Sequence, residues 1–339
     1  MTVRWGIVCA GKICHDFVNA VNSYPNKGDQ VIAAIAARNK ERATEFAKLH
    51  KIPKVYDSYE ALAASADIDI AYIGALNPDH YALSKLFLEH GKHVLCEKPL
   101  CLNFKQAQSI IKLAEKKKLF FMEGVWSRFA PSYVALEKDI KDGKLGEVKF
   151  VEVNLGVPMA NVDRISKKEL GGSVVLDIGV YVLQLSQFVF KDEPVRVSVI
   201  GEPLNESGVD LMETIVLDYK DGRRAVLNIN AHIKMWNKAT IYGTKGRYTL
   251  EENFNFSTAL TREGGKTEYF PLHESPLPYN FDNSAGLVYE TLEVVRCIKN
   301  GLIESPRMSH KESLTLAKLE DEVRRQIGVH FDADDQDYP

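Results

Sequence analysis

The sequence predicts an α/β protein with an N-terminal doubly wound parallel sheet, followed by an α+β domain with a large, mostly antiparallel open sheet. Over the first 124 residues, short apolar runs alternate with helical patterns, which is typical of βαβ units. From residue 146 onward, period-two strands joined by tight turns dominate. At 339 residues the chain is long for one core. We therefore expect two domains, residues 1–124 and 125–339.

The first region contains six strand candidates and helices with recognisable ends. Asn39 can cap a helix that runs to residue 48, Pro78 suits the first helical position after Asn77, and Asn103 precedes a helix that reaches about residue 118. The strand candidates are 3–8, 31–37, 54–56, 70–75, 93–96 and 119–122.

The second region begins with a helix over 131–142 and an alternating strand over 146–154. A helix over 177–190 follows the Gly171-Gly172 pair, and helices over 284–300 and 309–328 close the chain. We expect the acidic tail after residue 331 to be solvated. The remaining strand candidates are 195–200, 214–219, 224–232, 238–242, 247–250, 256–261 and 267–270.

Composition excludes several classes of function. The net charge is −3 and lysines and arginines are scattered, which is unlike a nucleic-acid-binding surface. No apolar run has the length of a membrane span and the N-terminus lacks signal-peptide features. Five cysteines, an odd number, favour free thiols in a reducing compartment, so we expect a cytoplasmic protein. No cluster has the ligand spacing of a zinc site, and we expect no metal.

The turn after the first strand, GIVCAGKIC from Gly6 to Cys14, predicts a Rossmann dinucleotide site. In the usual fingerprint three glycines allow a tight turn, the approach of the pyrophosphate and helix–strand packing. Cysteines replace the first and third glycines here, so the alternative is a Rossmann-like domain without a dinucleotide. The candidate cofactor residues of this turn are Gly6, Cys9, Gly11, Lys12 and Ile13.

The end of the second strand predicts the kind of cofactor. NAD enzymes usually place a carboxylate there for the ribose 2′-hydroxyl, whereas this chain has Arg38 followed by Asn39. A guanidinium suits a 2′-phosphate, so we expect NADP(H) rather than NAD. The alternative for Arg38 is a solvated charge at the start of a helix.

Two motifs resemble the glucose–fructose oxidoreductase / inositol dehydrogenase superfamily. One is Cys96-Glu97-Lys98-Pro99 after the fifth strand, and the other is the loop 74–80, with Asn77-Pro78 and the downstream His80. The resemblance implies that Glu97, Lys98, Asn77 and His80 lie at the cofactor.

Four stretches, 5–8, 122–129, 171–181 and 322–329, resemble the dihydrodiol dehydrogenase branch of that superfamily. This resemblance implies NADP-linked oxidation of trans-dihydrodiols and of sugars such as D-xylose, with dicarbonyl reduction in reverse. It also implies that Lys98 and Tyr181 are the catalytic pair, with Asp177 beside them, and that Arg38 binds phosphate. The chain departs from the branch at Asn77, where a His is usual, and over 157–164.

The chemistry of alcohol oxidation fits this pair. A tyrosine is a poor base at neutral pH unless a nearby cation stabilises its phenolate, and Lys98 lies at the strand edge where ligands bind. Asp177 and Tyr181 are four residues apart and share a helix face. The alternatives are that Tyr181 is a core residue, Lys98 a surface charge and Asp177 a helix cap.

The aromatic segment after residue 125 offers candidate substrate contacts, Trp126, Arg128 and Phe129, although packing at a helix start explains them equally well. The alternative functions are dehydrogenation of another aldose, anhydro-sugar or polyol, and a non-catalytic NADP-binding regulator. An open antiparallel sheet leaves one face to cover, so we also expect a homodimer through that sheet.

Overall fold

Six parallel strands form the N-terminal sheet in the computed structural model, which describes residues 2–339. The strands are β1 (Val3–Val8), β2 (Gln30–Ala36), β3 (Lys54–Tyr56), β4 (Ile70–Ile73), β5 (His93–Glu97) and β6 (Phe121–Gly124). Their order in the sheet is β3-β2-β1-β4-β5-β6. The order reverses between β1 and β4, and open parallel sheets bind ligands at the carboxyl edge of such a point.

Five helices connect these strands, and the capping residues predicted from the sequence are in place at two of them. Asn39 and Asn103 accept hydrogen bonds from the backbone N–H groups of Arg42 and Gln106. The short helix α3 was not predicted, because six residues are too few to show a helical period. The helices are α1 (Lys12–Ser23), α2 (Lys40–His50), α3 (Tyr59–Ala64), α4 (His80–Glu89) and α5 (Phe104–Lys117).

Eight strands form the second sheet, in the order β14-β13-β12-β11-β7-β10-β9-β8. All neighbours are antiparallel except β7 and β10, which are parallel. The predicted strand over 256–261 is shorter than expected, because 254–256 form a 3-10 turn. The strands are β7 (Val148–Gly156), β8 (Arg196–Gly201), β9 (Met212–Asp218), β10 (Arg224–Asn230), β11 (Ala239–Gly243), β12 (Gly246–Leu250), β13 (Ala259–Thr261) and β14 (Thr267–Tyr269).

Helices cover one face of this sheet. Those that pack on its strands are α6 (Pro131–Lys141), α8 (Val180–Phe190) and α10 (His310–Ile327), whereas α7 (Asp163–Ser166) follows β7 along the chain and α9 (Leu287–Lys299) packs against α1. Alternate residues of β9 and β10 are buried, as the period-two pattern predicted. The stretch Lys168–Phe190 is apolar and long enough to cross a membrane, but its apolar window is wholly buried inside the protein. This stretch, which ends with α8, therefore belongs to the core of this region.

The segment before α8 differs from the predicted regular helix. Residues Val175–Gly179 form a turn of π-helix, and the α-helix begins only at Val180. The extra residue of a π turn shifts the side chains that precede it, and such turns are frequent at functional sites. Asp177 lies within this turn, and Tyr181 lies in the first turn of α8.

The acidic tail is only partly solvated: Asp332, Asp335 and Asp337 are exposed as expected, whereas the start of the tail is anchored to the protein. Phe331 and Ala333 are buried, and the Asp334 carboxylate pairs with the Arg324 guanidinium at 2.9 Å. Asn103, the cap of α5, donates to the Ala333 carbonyl and to Asp334. The prediction counted the carboxylates of this tail but missed the apolar residues between them, which anchor it to α5 and α10.

Candidate active site

A cavity of about 450 Å³ opens where the carboxyl ends of β1, β4 and β5 face the start of α8. Residues far apart in sequence meet here because the parallel strands share one edge and α8 packs across it. Most of the predicted site residues line this cavity: Cys9, Gly11, Lys12, Ile13, Arg38, Asn77, Glu97, Lys98, Trp126, Asp177 and Tyr181.

The turn between β1 and α1 adopts the expected geometry without its first and third glycines. Cys9 has a φ of +93°, a conformation that normally favours glycine. Close packing at this crossing comes from Gly74 instead, because a Cβ there would lie 2.6 Å from the Cys14 sulfur. The small residue that allows this packing therefore lies just after the neighbouring strand β4 and not in the turn itself.

Hydrogen bonding to Cys14 is the main reason that the pKa of the Cys9 thiol is lowered to about 6. Burial has the opposite effect on Cys14, whose pKa is raised well above its ordinary value. All five cysteines are free.

The N-terminus of α1 faces the cavity. Gly11 precedes the helix, and no side chain caps its first turn. Gly11, Lys12 and Ile13 all line the cavity. Uncapped backbone N–H groups and the positive end of the helix dipole suit a phosphate group. This turn therefore fits the pyrophosphate of a dinucleotide.

Arg38 lies beyond the end of β2, at the cavity mouth. Its side chain is 72% exposed, so it is free to move toward a ligand. The Asp79 carboxylate lies 4.0 Å from its guanidinium. No carboxylate directly follows Arg38 in the sequence, but the fold brings Asp79 beside it from the loop after β4.

The structure brings the catalytic candidates together. The Lys98 ammonium donates to the backbone carbonyl of Asp177 at 2.6 Å and lies 3.4 Å from the carboxylate of the same residue. It also lies 5.1 Å from the centre of the Tyr181 ring. Asp177 makes ion pairs and no helix cap, so the capping interpretation is wrong.

The Tyr181 phenol is buried, with 8% of the residue exposed. Burial and the nearby Glu97 raise the pKa of Tyr181 well above its ordinary value. One contact acts in the opposite direction: the Trp126 indole N–H donates to the phenol oxygen at 3.0 Å and lowers the pKa. Trp126 therefore contacts the candidate base as well as lining the cavity.

Glu97 lies beneath this cluster. It accepts a hydrogen bond from the Tyr72 hydroxyl at 2.6 Å, and burial raises its pKa. For Asp177, burial also acts to raise the pKa, but the charges of Lys98 and Arg164 outweigh it and lower the pKa. The two cations therefore favour the ionised form of Asp177.

Two predicted cofactor residues do not line the cavity. Gly6 lies within β1, where a Cβ would be 2.6 Å from the Ile68 side chain, so it serves packing. His80 is buried, and its ring nitrogens lie 2.8 Å and 3.2 Å from the carbonyls of Pro99 and Ala75. His80 joins the loop after β4 to the turn after Lys98 and so holds that turn in place.

Two predicted substrate residues also lie elsewhere. Arg128 is fully buried, and its guanidinium pairs with Glu312 at 2.6 Å and with the Gln184 side chain at 2.8 Å. Phe129 belongs to the hydrophobic core. The packing interpretation was correct for these two residues, because the turn that exposes Trp126 to the cavity directs its neighbours inward.

Several lining residues were missed by the sequence analysis. Arg164, in α7, pairs with Asp177. Phe281 and Asp282 reach the cavity from a segment that crosses α1. The backbone N–H groups of Asn280 and Phe281 donate to the buried Asp16 of α1, which fixes that segment. Arg164 lies in a helix of only four residues, and Phe281 and Asp282 lie in an irregular loop, so no motif or period in the sequence marks them.

Comparison with known proteins shows the family of this chain. The model of the oxidoreductase family with an NAD-binding Rossmann fold matches residues 3–125, and that of the GFO/IDH/MocA C-terminal domain matches residues 133–249. The trans-1,2-dihydrobenzene-1,2-diol dehydrogenase of Danio rerio is 41% identical over 99% of this chain and 100% of its own. The human enzyme of that name is 38% identical over 98% of this chain and 99% of its own.

Solved structures show the same fold. Levoglucosan dehydrogenase, in complex with NADH and levoglucosan, superposes with a TM-score of 0.85 at 17% identity, covering 97% of this chain and 98% of that one. A 3-ketoreductase from Actinomadura kijaniata, in complex with NADP, superposes with a TM-score of 0.82 at 22% identity, covering 96% and 98%.

The fold and the relatives together define an oxidoreductase that acts on CH–OH groups with a nicotinamide cofactor. The alternative of a non-catalytic regulator is therefore wrong, and the protein is an enzyme. The chain belongs to the GFO/IDH/MocA oxidoreductase family and, within it, to the dihydrodiol dehydrogenase branch.

Proposed function

We propose that this protein is an NADP-dependent dehydrogenase of trans-dihydrodiols or of sugars such as D-xylose, and that it reduces dicarbonyls in the reverse direction. The observation that carries the proposal is the meeting of Lys98, Asp177 and Tyr181 at one end of a cavity whose other wall is the N-terminus of α1. Residues 1–124 would hold the cofactor, and residues 125–339 would supply most of the substrate site.

The cofactor would lie along the carboxyl edge of the parallel sheet. The backbone at Cys9, Gly11, Lys12 and Ile13 would hold the pyrophosphate, and Arg38 the 2′-phosphate. Asn77, Glu97 and Lys98 line the deeper part of the cavity and would surround the nicotinamide end. When bound, the nicotinamide accepts or donates a hydride.

The chain's own residues would move the proton. In oxidation, Tyr181 takes the proton of the substrate hydroxyl as general base, and in reduction it returns that proton as general acid. The Lys98 ammonium stabilises the phenolate, and the Trp126 N–H donates to the same oxygen. Because the pKa of Tyr181 is raised, oxidation should increase toward alkaline pH, whereas reduction should be favoured at lower pH.

A direct test measures NADP reduction at alkaline pH across a panel of trans-diols, aldoses, anhydro-sugars and polyols. The proposal predicts turnover with a trans-dihydrodiol or an aldose. Turnover with none of the panel would contradict it. Anhydro-sugars and polyols are the second candidate class, favoured by the polar cavity wall at Asn237, Asn255 and Asp282, which could bind several hydroxyl groups.

Arg38 tests the choice of cofactor. We expect Arg38→Ala to weaken NADP binding by roughly 10- to 100-fold, since charge-assisted hydrogen bonds to phosphate are among the stronger ones. NAD binding should change little. Calorimetric titration of both cofactors measures this, with Arg42→Ala on the exposed side of α2 as control. Unchanged NADP affinity would end the assignment.

We also propose a homodimer through the free face of the eight-stranded sheet, and a cytoplasmic location. The free thiols suit a reducing compartment, and pairing two such faces is a common way to cover an open sheet. Sedimentation that shows a monomer at every concentration would contradict the dimer, and tagged protein found in another compartment would contradict the location.

A further inference from the structure

A three-membered ion-pair cluster lies beside Tyr181. The Arg164 guanidinium lies 2.5 Å from Oδ1 of Asp177, and the Lys98 ammonium lies 3.4 Å from the same oxygen. The Asp177 side chain is 9% exposed, Lys98 15% and Arg164 37%. One buried carboxylate therefore forms ion pairs with two cations. All three residues line the cavity.

The net charge of this cluster determines how strongly it stabilises a phenolate at Tyr181. If Asp177 paired with Lys98 alone, the two charges would largely cancel at the Tyr181 oxygen, and a phenolate would gain little from the ammonium. Arg164 adds a second cation to the same carboxylate. The cluster of Arg164, Asp177 and Lys98 then carries one positive charge in excess.

None of the other groups that the structure describes around Tyr181 supplies a positive charge for its phenolate, so the excess charge of the cluster is needed there. Glu97 comes from the end of β5, and Glu290 comes from α9 with both carboxylate oxygens buried and unpaired among the described residues. Burial raises the pKa of both acids, but any negative charge on them opposes a phenolate. Tyr133 faces Tyr181 from α6 as a neutral phenol, and burial raises its pKa. Trp126 supplies a dipole and no charge.

We propose that Arg164 is a positioning residue for proton transfer: by sharing Asp177 with Lys98, it leaves the ammonium charge available to the Tyr181 oxygen. The inference rests on the proposed function, because it assigns Arg164 a part in the same reaction. Arg164 reaches the site from α7. A purely structural alternative is that Arg164 only anchors α7 to the π turn.

The pH dependence of kcat separates these alternatives. We expect Arg164→Gln to lower kcat for oxidation about tenfold near neutral pH, which corresponds to a shift of the rising part of the pH profile by about one unit. At alkaline pH the kcat of this variant should approach that of wild type. Arg164→Lys should restore most of the activity. Lys167→Gln, which removes a cation from the same segment outside the cavity, should match wild type. A loss that is equal at every pH, or a profile superimposed on wild type, would overturn the proposal.

A second readout needs neither substrate nor turnover. Acetic anhydride acetylates the unprotonated Lys98 amine, and mass spectrometry measures the rate at this residue. In Arg164→Gln, Asp177 pairs with Lys98 alone and holds its ammonium more tightly, so acetylation should slow by about threefold or more, whereas Lys167→Gln should leave it unchanged. If wild type turned over no substrate, the proposed function would fail while this labelling still tested the shared carboxylate. An unchanged rate would overturn the inference.

Discussion

Tyr181→Phe should lower kcat for oxidation by roughly 10²- to 10⁴-fold, the range that a general acid–base group contributes. Phenylalanine keeps the ring that packs over Lys98 but removes the oxygen that takes the substrate proton. The affinity for NADP should stay within about twofold, since the turn at α1 and Arg38 are untouched. Steady-state kinetics and a cofactor titration measure the two effects.

The matched control for this change is Tyr133→Phe. Tyr133 is also buried, and its hydroxyl donates to the Phe254 carbonyl at 3.0 Å. It does not line the cavity. The control should therefore lose some stability while keeping kcat. If Tyr181→Phe retained activity within about twofold of wild type, Tyr181 would have no catalytic role.

Lys98→Met should lower kcat by roughly 10²- to 10³-fold, as expected for loss of one preorganised electrostatic partner. Methionine approximates the length of the lysine stem, so the packing on the Tyr181 ring is largely kept. Without the ammonium, the Tyr181 phenolate forms only at higher pH, because burial already raises its pKa. The loss should therefore shrink toward alkaline pH.

A pH series of kcat for wild type and Lys98→Met measures this effect. Lys112→Met removes an exposed lysine whose ammonium donates to the Gln108 side chain at 3.2 Å, and it should behave as wild type. Equal activity of Lys98→Met and wild type across the series would show that the ammonium does not assist the phenol.

The fold followed closely from local patterns. Apolar strands and capped helices determine the parallel sheet, and the period-two strands determine the second sheet, because both patterns reflect burial on one or both faces. The parallel pairing of β7 with β10 and the π turn before α8 were not predictable in this way. They depend on how distant elements pack, and no local signal encodes them.

The site was predictable where motifs exist. Lys98 and Tyr181 came from the family resemblance, and the turn at Gly11 came from its place between a strand and a helix. Arg164 and Phe281 were not predicted as site residues, because their roles depend on tertiary contacts. The sequence left the role of Arg128 open for a related reason: an arginine in an aromatic segment suggests a ligand contact, and its ion pair with the distant, half-buried Glu312 is visible only in the fold.

A crystal structure with NADP bound tests the central claim most directly, through the distances from the nicotinamide C4 atom to the Lys98 nitrogen and the Tyr181 oxygen. We expect the three atoms to surround one position for the substrate carbinol, with both side-chain atoms within about 3 Å of its oxygen. A nicotinamide ring bound away from this cluster, or a Tyr181 hydroxyl turned away from C4, would contradict the account.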